Sequence, residues 1–137
     1  MDTLSAWQPR LLSLLRIMAG LLFLQHGLVK MFAFPGPFMR PVVTGELIWF
    51  AALIEIIGGA LLILGLFTRP AAFICSGLMA LAYFLGHEFG PASKSAIFLI
   101  LNGGNLAILY SFVFLYIAAA GPGAWSIDGS RTAPRPR

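Results

Sequence analysis

Residues 47–66 read LIWFAALIEIIGGALLILGL, twenty positions carrying a single charge, Glu55, near their middle. A helix of that length is about 30 Å long, the thickness of the hydrocarbon core of a bilayer. In that solvent the backbone polar groups must be satisfied within the segment, which a helix does. Stretches of the same kind lie on either side, at 11–32, 71–89 and 96–120, so four spans in 137 residues leave only short connections. Hydrophobic residues make up 59% of the chain and charged residues 10%, against roughly a quarter charged in soluble proteins. The fold predicted is an all-α membrane protein, a four-transmembrane-helix bundle, with its domain over 1–126 and a flexible C-terminal tail over 127–137.

That reading excludes several functions. The short connections leave no room for a soluble nucleotide-binding or catalytic domain, so any chemistry must use groups inside the bundle or at its rim. The net charge of +4 is carried by basic residues scattered singly at span ends and in the tail. This is the pattern of topology signals and lipid headgroup contact; the partner expected is membrane lipid, and no nucleic acid. Cys75 is the single cysteine, which excludes an internal disulfide and a CxxC dithiol mechanism. His26 and His87, the only histidines, fall at different depths and do not suit a bis-histidine haem; no metal site is predicted.

The first span is not read as a secretory signal. Its apolar run exceeds signal length, is interrupted by Gln25, His26 and Lys30, and lacks a small-residue cleavage site. With both termini cytoplasmic, Arg10, Arg16, Arg69, Arg131, Arg135 and Arg137 lie inside and Lys30, Arg40 and Lys94 outside, the bias favoured by insertion. Trp7, Trp49 and Trp125 near span ends fit interfacial anchors. Pro35, Gly36, Pro37 and Pro41 break the first connection, where Phe32, Phe34 and Phe38 suggest a folded or re-entrant interfacial segment. The second is a tight turn with Gly65 ending one helix and Thr68 and Pro70 starting the next.

Polar groups inside the spans carry the functional signal, because an intramembrane charge or amide is costly and usually faces protein or a wet cavity. With both termini inside, Gln25 and His26 lie about 9 Å below the outer end of the first helix, and Glu55 about 12 Å below that of the second. Asn102 and Asn105 fall about 8 to 13 Å deep on the fourth, with Lys30, His87 and Glu88 nearer the outer rim. If these faces converge, they form an outer-leaflet pocket. Glu55 and His26 would be its proton-handling, catalytic groups, and Gln25, Asn102, Asn105, Lys30 and His87 its ligand-binding groups. Such a set suits a quinone head, which needs donors to its carbonyls and a proton route. The other reading is that these groups pair with one another and lock the helices together. Gly20, Gly27, Gly58, Gly59, Gly103 and Gly104 let helices approach closely.

Several stretches resemble one family. Arg16, Gly20, Phe23-Leu24-Gln25-His26-Gly27 and Lys30-Met31-Phe32 are similar to the opening pattern of the DoxX family. Glu55-Ile56-Ile57-Gly58-Gly59-Ala60-Leu61-Leu62 with Leu64-Gly65-Leu66-Phe67-Thr68-Arg69 resembles its second segment. Asn102-Gly103-Gly104 to Tyr110 and Gly121-Pro122-Gly123-Ala124-Trp125-Ser126-Ile127-Asp128 resemble its fourth helix and exit motif. The resemblance implies a bacterial inner-membrane, multi-pass protein linked to quinone or thiol redox stress. Where the family pattern leads us to expect a glutamate after Asn102-Gly103-Gly104, this chain has Asn105.

The function expected is the membrane component of a quinone-linked or thiol-stress redox system, an oxidoreductase component beside a soluble or peripheral redox partner. No covalently bound cofactor is expected; quinone is the cofactor the polar set suits. A small proton-coupled transporter of lipophilic compounds and a non-catalytic membrane scaffold are the alternatives, and a homo-oligomer is compatible with each.

Overall fold

The computed structural model describes residues 2–36, 42–88 and 103–132. Four apolar helices form the bundle: α2 (Gln8–Phe32), α3 (Leu47–Leu64), α4 (Thr68–Ala82) and α5 (Asn105–Ala120), with short helices α1 (Asp2–Ser5) and α6 (Ile127–Thr132) at either end. α4 continues as a π-helical turn, Tyr83–Glu88. No strand occurs among the described residues. α2, α3 and the Thr68–Gly86 stretch are each long and apolar enough to cross a membrane, whereas α5 is shorter. The first part of the span expected at 96–120 lies outside the described residues.

α2 packs along α3, α3 along α4 and α4 along α5, while α2 and α5 touch only sparsely. Small residues set the closest seam. A Cβ added at Gly59 would lie 2.7 Å from the Leu24 nitrogen and 2.8 Å from the Gly20 oxygen, and one at Gly27 would lie 2.7 Å from the Ala52 oxygen. Helices in lipid gain nothing by hiding apolar surface from lipid, so this close backbone approach is what holds α2 to α3. The centre is filled by Phe23, Leu62, Ala72, Cys75, Tyr110, Phe114 and Ile117. Phe23 meets Phe114 edge-on at 4.8 Å, and Phe114 stacks on Tyr110 at 5.4 Å. Leu14, Met18, Phe73, Leu81 and Phe112 face outward, as the lipid solvent allows.

The α3–α4 turn ends α3 as a Schellman motif: Gly65 takes φ +65°, its N–H donates to Leu62 O at 3.2 Å, and Leu66 N donates to Leu61 O at 3.0 Å. Thr68 is the first residue of α4 and not its cap. Phe67 occupies the cap position in a left-handed conformation, and no side chain from the turn caps α4. Instead Asp128 does so from the far end of the chain, accepting from Phe67 N at 3.0 Å and Thr68 N at 2.8 Å. These donors, Thr68 N–H foremost, hold the Asp128 carboxyl below its ordinary range. Asp128 N in turn donates to Gly65 O at 3.0 Å.

Arg16 completes this end of the bundle. Counted in the sequence among scattered topology signals, it is in fact fully buried. Its Nη1 donates to Leu62 O and, at 3.1 Å, to Ile63 O, satisfying carbonyls at the C-terminus of α3. Its Nε donates to Pro122 O at 2.8 Å and Nη2 to Trp125 O, tying the exit segment to α2. Ser13 adds a second tie, donating to Pro9 O at 2.9 Å and accepting from Trp125 N at 3.0 Å. Arg69 closes α5 by donating to Ala118 O at 2.9 Å and Ala119 O at 2.6 Å. Residues 127–132, expected as part of a flexible tail, therefore form α6 and are anchored through Asp128; residues 133–137 lie outside the described residues.

Candidate functional site

The site grows from the seam between α2 and α3. At Gly27 the helices are in backbone contact, and an added Cβ there would also lie 3.0 Å from the Glu55 Cβ. Lys30 is one turn past Gly27 on the same face, so its side chain reaches across the seam and places Nζ 2.5 Å from Glu55 Oε1. The Glu55 side chain is 2% exposed and that of Lys30 21%. Glu55 stands about 12 Å from the start of α3, well within the apolar run. Glu55 Oε2 is buried without a hydrogen-bond partner among the described residues. One turn further on, Gly58 makes room for the Cys75 sulfur from α4. Cys75 is fully buried and behaves as a small core residue.

An ion pair at this depth does little for stability on its own account, since desolvation costs several kcal/mol per ion and offsets the attraction. Its chemistry is more distinctive. The resting pair is neutral, one carboxylate oxygen is spoken for and the other can accept a proton, and Lys30 is the hydrogen-bond donor already in place.

The remaining expected residues do not join this pair in one enclosed pocket. Gln25 and His26 are on exposed positions of α2, and Asn105 is exposed at the first turn of α5. His26 Nδ1 lies 2.8 Å from Leu22 O and donates to it, which directs Nε2 away from that turn. Asn102 lies outside the described residues. His87 belongs to the π-helical turn. Depth along the membrane normal, which the sequence gives, does not fix the direction in which each residue points. Among the described residues no cluster of His, Cys, Asp and Glu could hold a metal.

Two features were not read from the sequence. One is the pairing of Lys30, expected near the outer rim among the ligand-binding groups, with Glu55; the signal was its spacing from Gly27. The second is a groove of about 240 Å³ along the sparse seam between α2 and α5, floored by Ala19 and Tyr110 and walled by Leu15 and Leu22 on one side and Leu106 and Val113 on the other. Its signal was an i, i+3, i+4, i+7 set of apolar residues on each helix.

The DoxX family profile matches residues 11–88, which contain both members of the ion pair. An uncharacterized protein of Haemophilus influenzae is 44% identical over 130 residues, covering 93% of this chain and 96% of its own length. Two Escherichia coli proteins are similar over most of their length. Inner membrane protein YqjF is 32% identical, covering 82% of this chain and 85% of its own. Inner membrane protein YphA is 30% identical, covering 90% and 91% respectively. No solved structure matches the chain.

Proposed function

The chain belongs to the DoxX family and is a multi-pass inner-membrane protein, and from that premise we propose that it is the membrane component of a quinone-linked redox system, with Lys30 and Glu55 as its proton-handling pair. The observation that carries the proposal is the buried, unpartnered Glu55 Oε2 beside a lysine already hydrogen-bonded to Oε1. A buried polar atom without a partner is costly, and such atoms concentrate where a proton or a ligand is to be received. A quinone supplies two-electron, two-proton chemistry, the electrons coming from a soluble or peripheral partner.

Within this reading Lys30 delivers a proton toward the ligand and Glu55 stabilises the ammonium until then. A proton arriving at Glu55 Oε2 restores the pair. His26, one turn before Lys30 on α2 and deeper in the membrane, is the second proton-handling group of this end of the bundle. Both termini are assigned to the cytoplasm, which puts the Arg16–Asp128 end inside and the ion pair in the outer half of the membrane, in keeping with the lysine and arginine bias.

The test uses protein extracted gently from its native membrane, with quinone measured in organic extracts and growth under quinone and thiol stress measured in a strain lacking the chain. Retained quinone is expected, together with a growth defect rescued by the parent and not by Glu55→Gln. Absence of quinone combined with full rescue by Glu55→Gln would overturn the reading.

A further inference from the structure

The groove between α2 and α5 is apolar along its length but polar at one end. On α2, Gln25 and His26 stand three and four residues past Leu22, hence on the face of the groove and one turn further along. On α5, Asn105 stands four residues before Leu109, another lining residue, and so one turn before it on the same face. In an up-and-down bundle α2 and α5 run in opposite directions. Both steps therefore lead to the same end of the groove, where three polar side chains sit exposed on membrane-spanning helices. Amides and an imidazole facing hydrocarbon are expensive unless something polar meets them.

We propose that this seam is the seat of the quinone, its isoprenoid tail lying along the groove and its head carbonyls accepting from the amides of Gln25 and Asn105, with His26 beside them. The assignment rests on the redox reading above and deepens it. The groove wall from Leu15 to Leu22 covers about 10 Å of helix axis, enough for the near part of a slender chain. The rim is what selects the head. Gln25 and Asn105 offer neutral amide donors suited to carbonyl oxygens, whereas a phospholipid phosphate calls for a cation. The nearest cation along α2, Lys30, is committed to Glu55 at 2.5 Å. His26 then has a second use. It belongs to the rim and lies one turn from Lys30, so a head seated there exchanges protons with the ion pair without leaving the lipid phase.

The experiment reconstitutes the whole chain in phosphatidylcholine nanodiscs with a ubiquinone analogue bearing a photoreactive group on its tail, and maps the labelled peptides by mass spectrometry. Labelling is expected on 15–22 and 106–113, reduced at least tenfold by unlabelled ubiquinone and unaffected by extra phospholipid. Leu109→Trp, which fills the groove, should cut labelling at least fivefold, while Leu81→Trp on the lipid-facing side of α4 should not. Quinone-competed labelling elsewhere in the bundle would overturn the seat and leave the redox reading standing. Labelling of the seam that phospholipid competes equally well would mark an ordinary lipid groove and overturn the seat. Absence of any quinone-competed labelling would overturn both. The map of the parent protein decides among these even if Leu109→Trp fails to fold.

Discussion

Lys30→Met and Glu55→Gln should differ in cost, and the difference tests whether the two side chains form a buried pair. At 2.5 Å the attraction is about 6–7 kcal/mol at an effective dielectric near 20, and desolvation of the almost fully buried Glu55 takes back most of it. The intact pair is close to neutral for stability, but its halves are not. Lys30→Met removes the attraction and leaves Glu55 buried and uncompensated, a loss of about 3–5 kcal/mol. Glu55→Gln leaves a lysine that is one-fifth exposed and free to swing its stem toward the interface, so the loss is only about 1–2 kcal/mol. The double variant buries no charge, so its cost should fall short of the sum by about 2 kcal/mol or more. Reversible unfolding in mixed micelles, followed by tryptophan fluorescence and helical circular dichroism, measures all three. Additivity within about 0.5 kcal/mol, or a larger cost for Glu55→Gln than for Lys30→Met, would refute the pairing.

The carboxylate of Asp128, whose folded-state pKa is depressed, adds stability that is fully present above the ordinary carboxylate range near 4 and is lost as pH falls through the depressed value. Asp128→Asn, which keeps only one of the two acceptor oxygens, should therefore cost about 0.5–1.5 kcal/mol at pH 7, with the difference from the parent closing as pH falls through the depressed value, as followed by thermal unfolding across pH. Gly59→Ala, whose new methyl would meet backbone 2.7 Å away, should destabilise by about 1–3 kcal/mol, whereas Gly77→Ala, with open space around it, should be neutral or stabilising by up to about 1 kcal/mol in the same assay.

The spans could be read because a bilayer imposes length and apolarity on each helix independently of its neighbours; α2 ends at Phe32, where the apolar run ends, and α3 stops at the Gly65 turn. What could not be read was azimuth. Gln25, His26 and Glu55 were assigned comparable depths, yet Glu55 turns into the α2–α3 seam and the other two turn outward, because the glycine contacts at Gly20 and Gly27 fix how α2 is rotated. Arg16 was misread for a related reason. A basic residue near a span end satisfies a topology rule whether or not it is buried, and its carbonyl partners at Leu62, Pro122 and Trp125 are separated from it by 46 to 109 positions. The exit motif was recognisable as a pattern, but its purpose emerges only when Asp128 is seen holding the first amides of α4.

The Arg16–Asp128 cluster has a consequence for biosynthesis. A membrane chain is inserted in order, and its early helices wait in the bilayer for the later ones. Here the join between α3 and α4 lacks its carboxylate until residue 128 has emerged, and the guanidinium of α2 lacks two of its carbonyls until residues 122 and 125 have arrived. A chain interrupted before that point holds a cation in hydrocarbon with half its bonds unmade, a defect open to recognition by membrane quality-control proteases. The closing stretch of the message thus completes contacts that the helices translated ahead of it were inserted without.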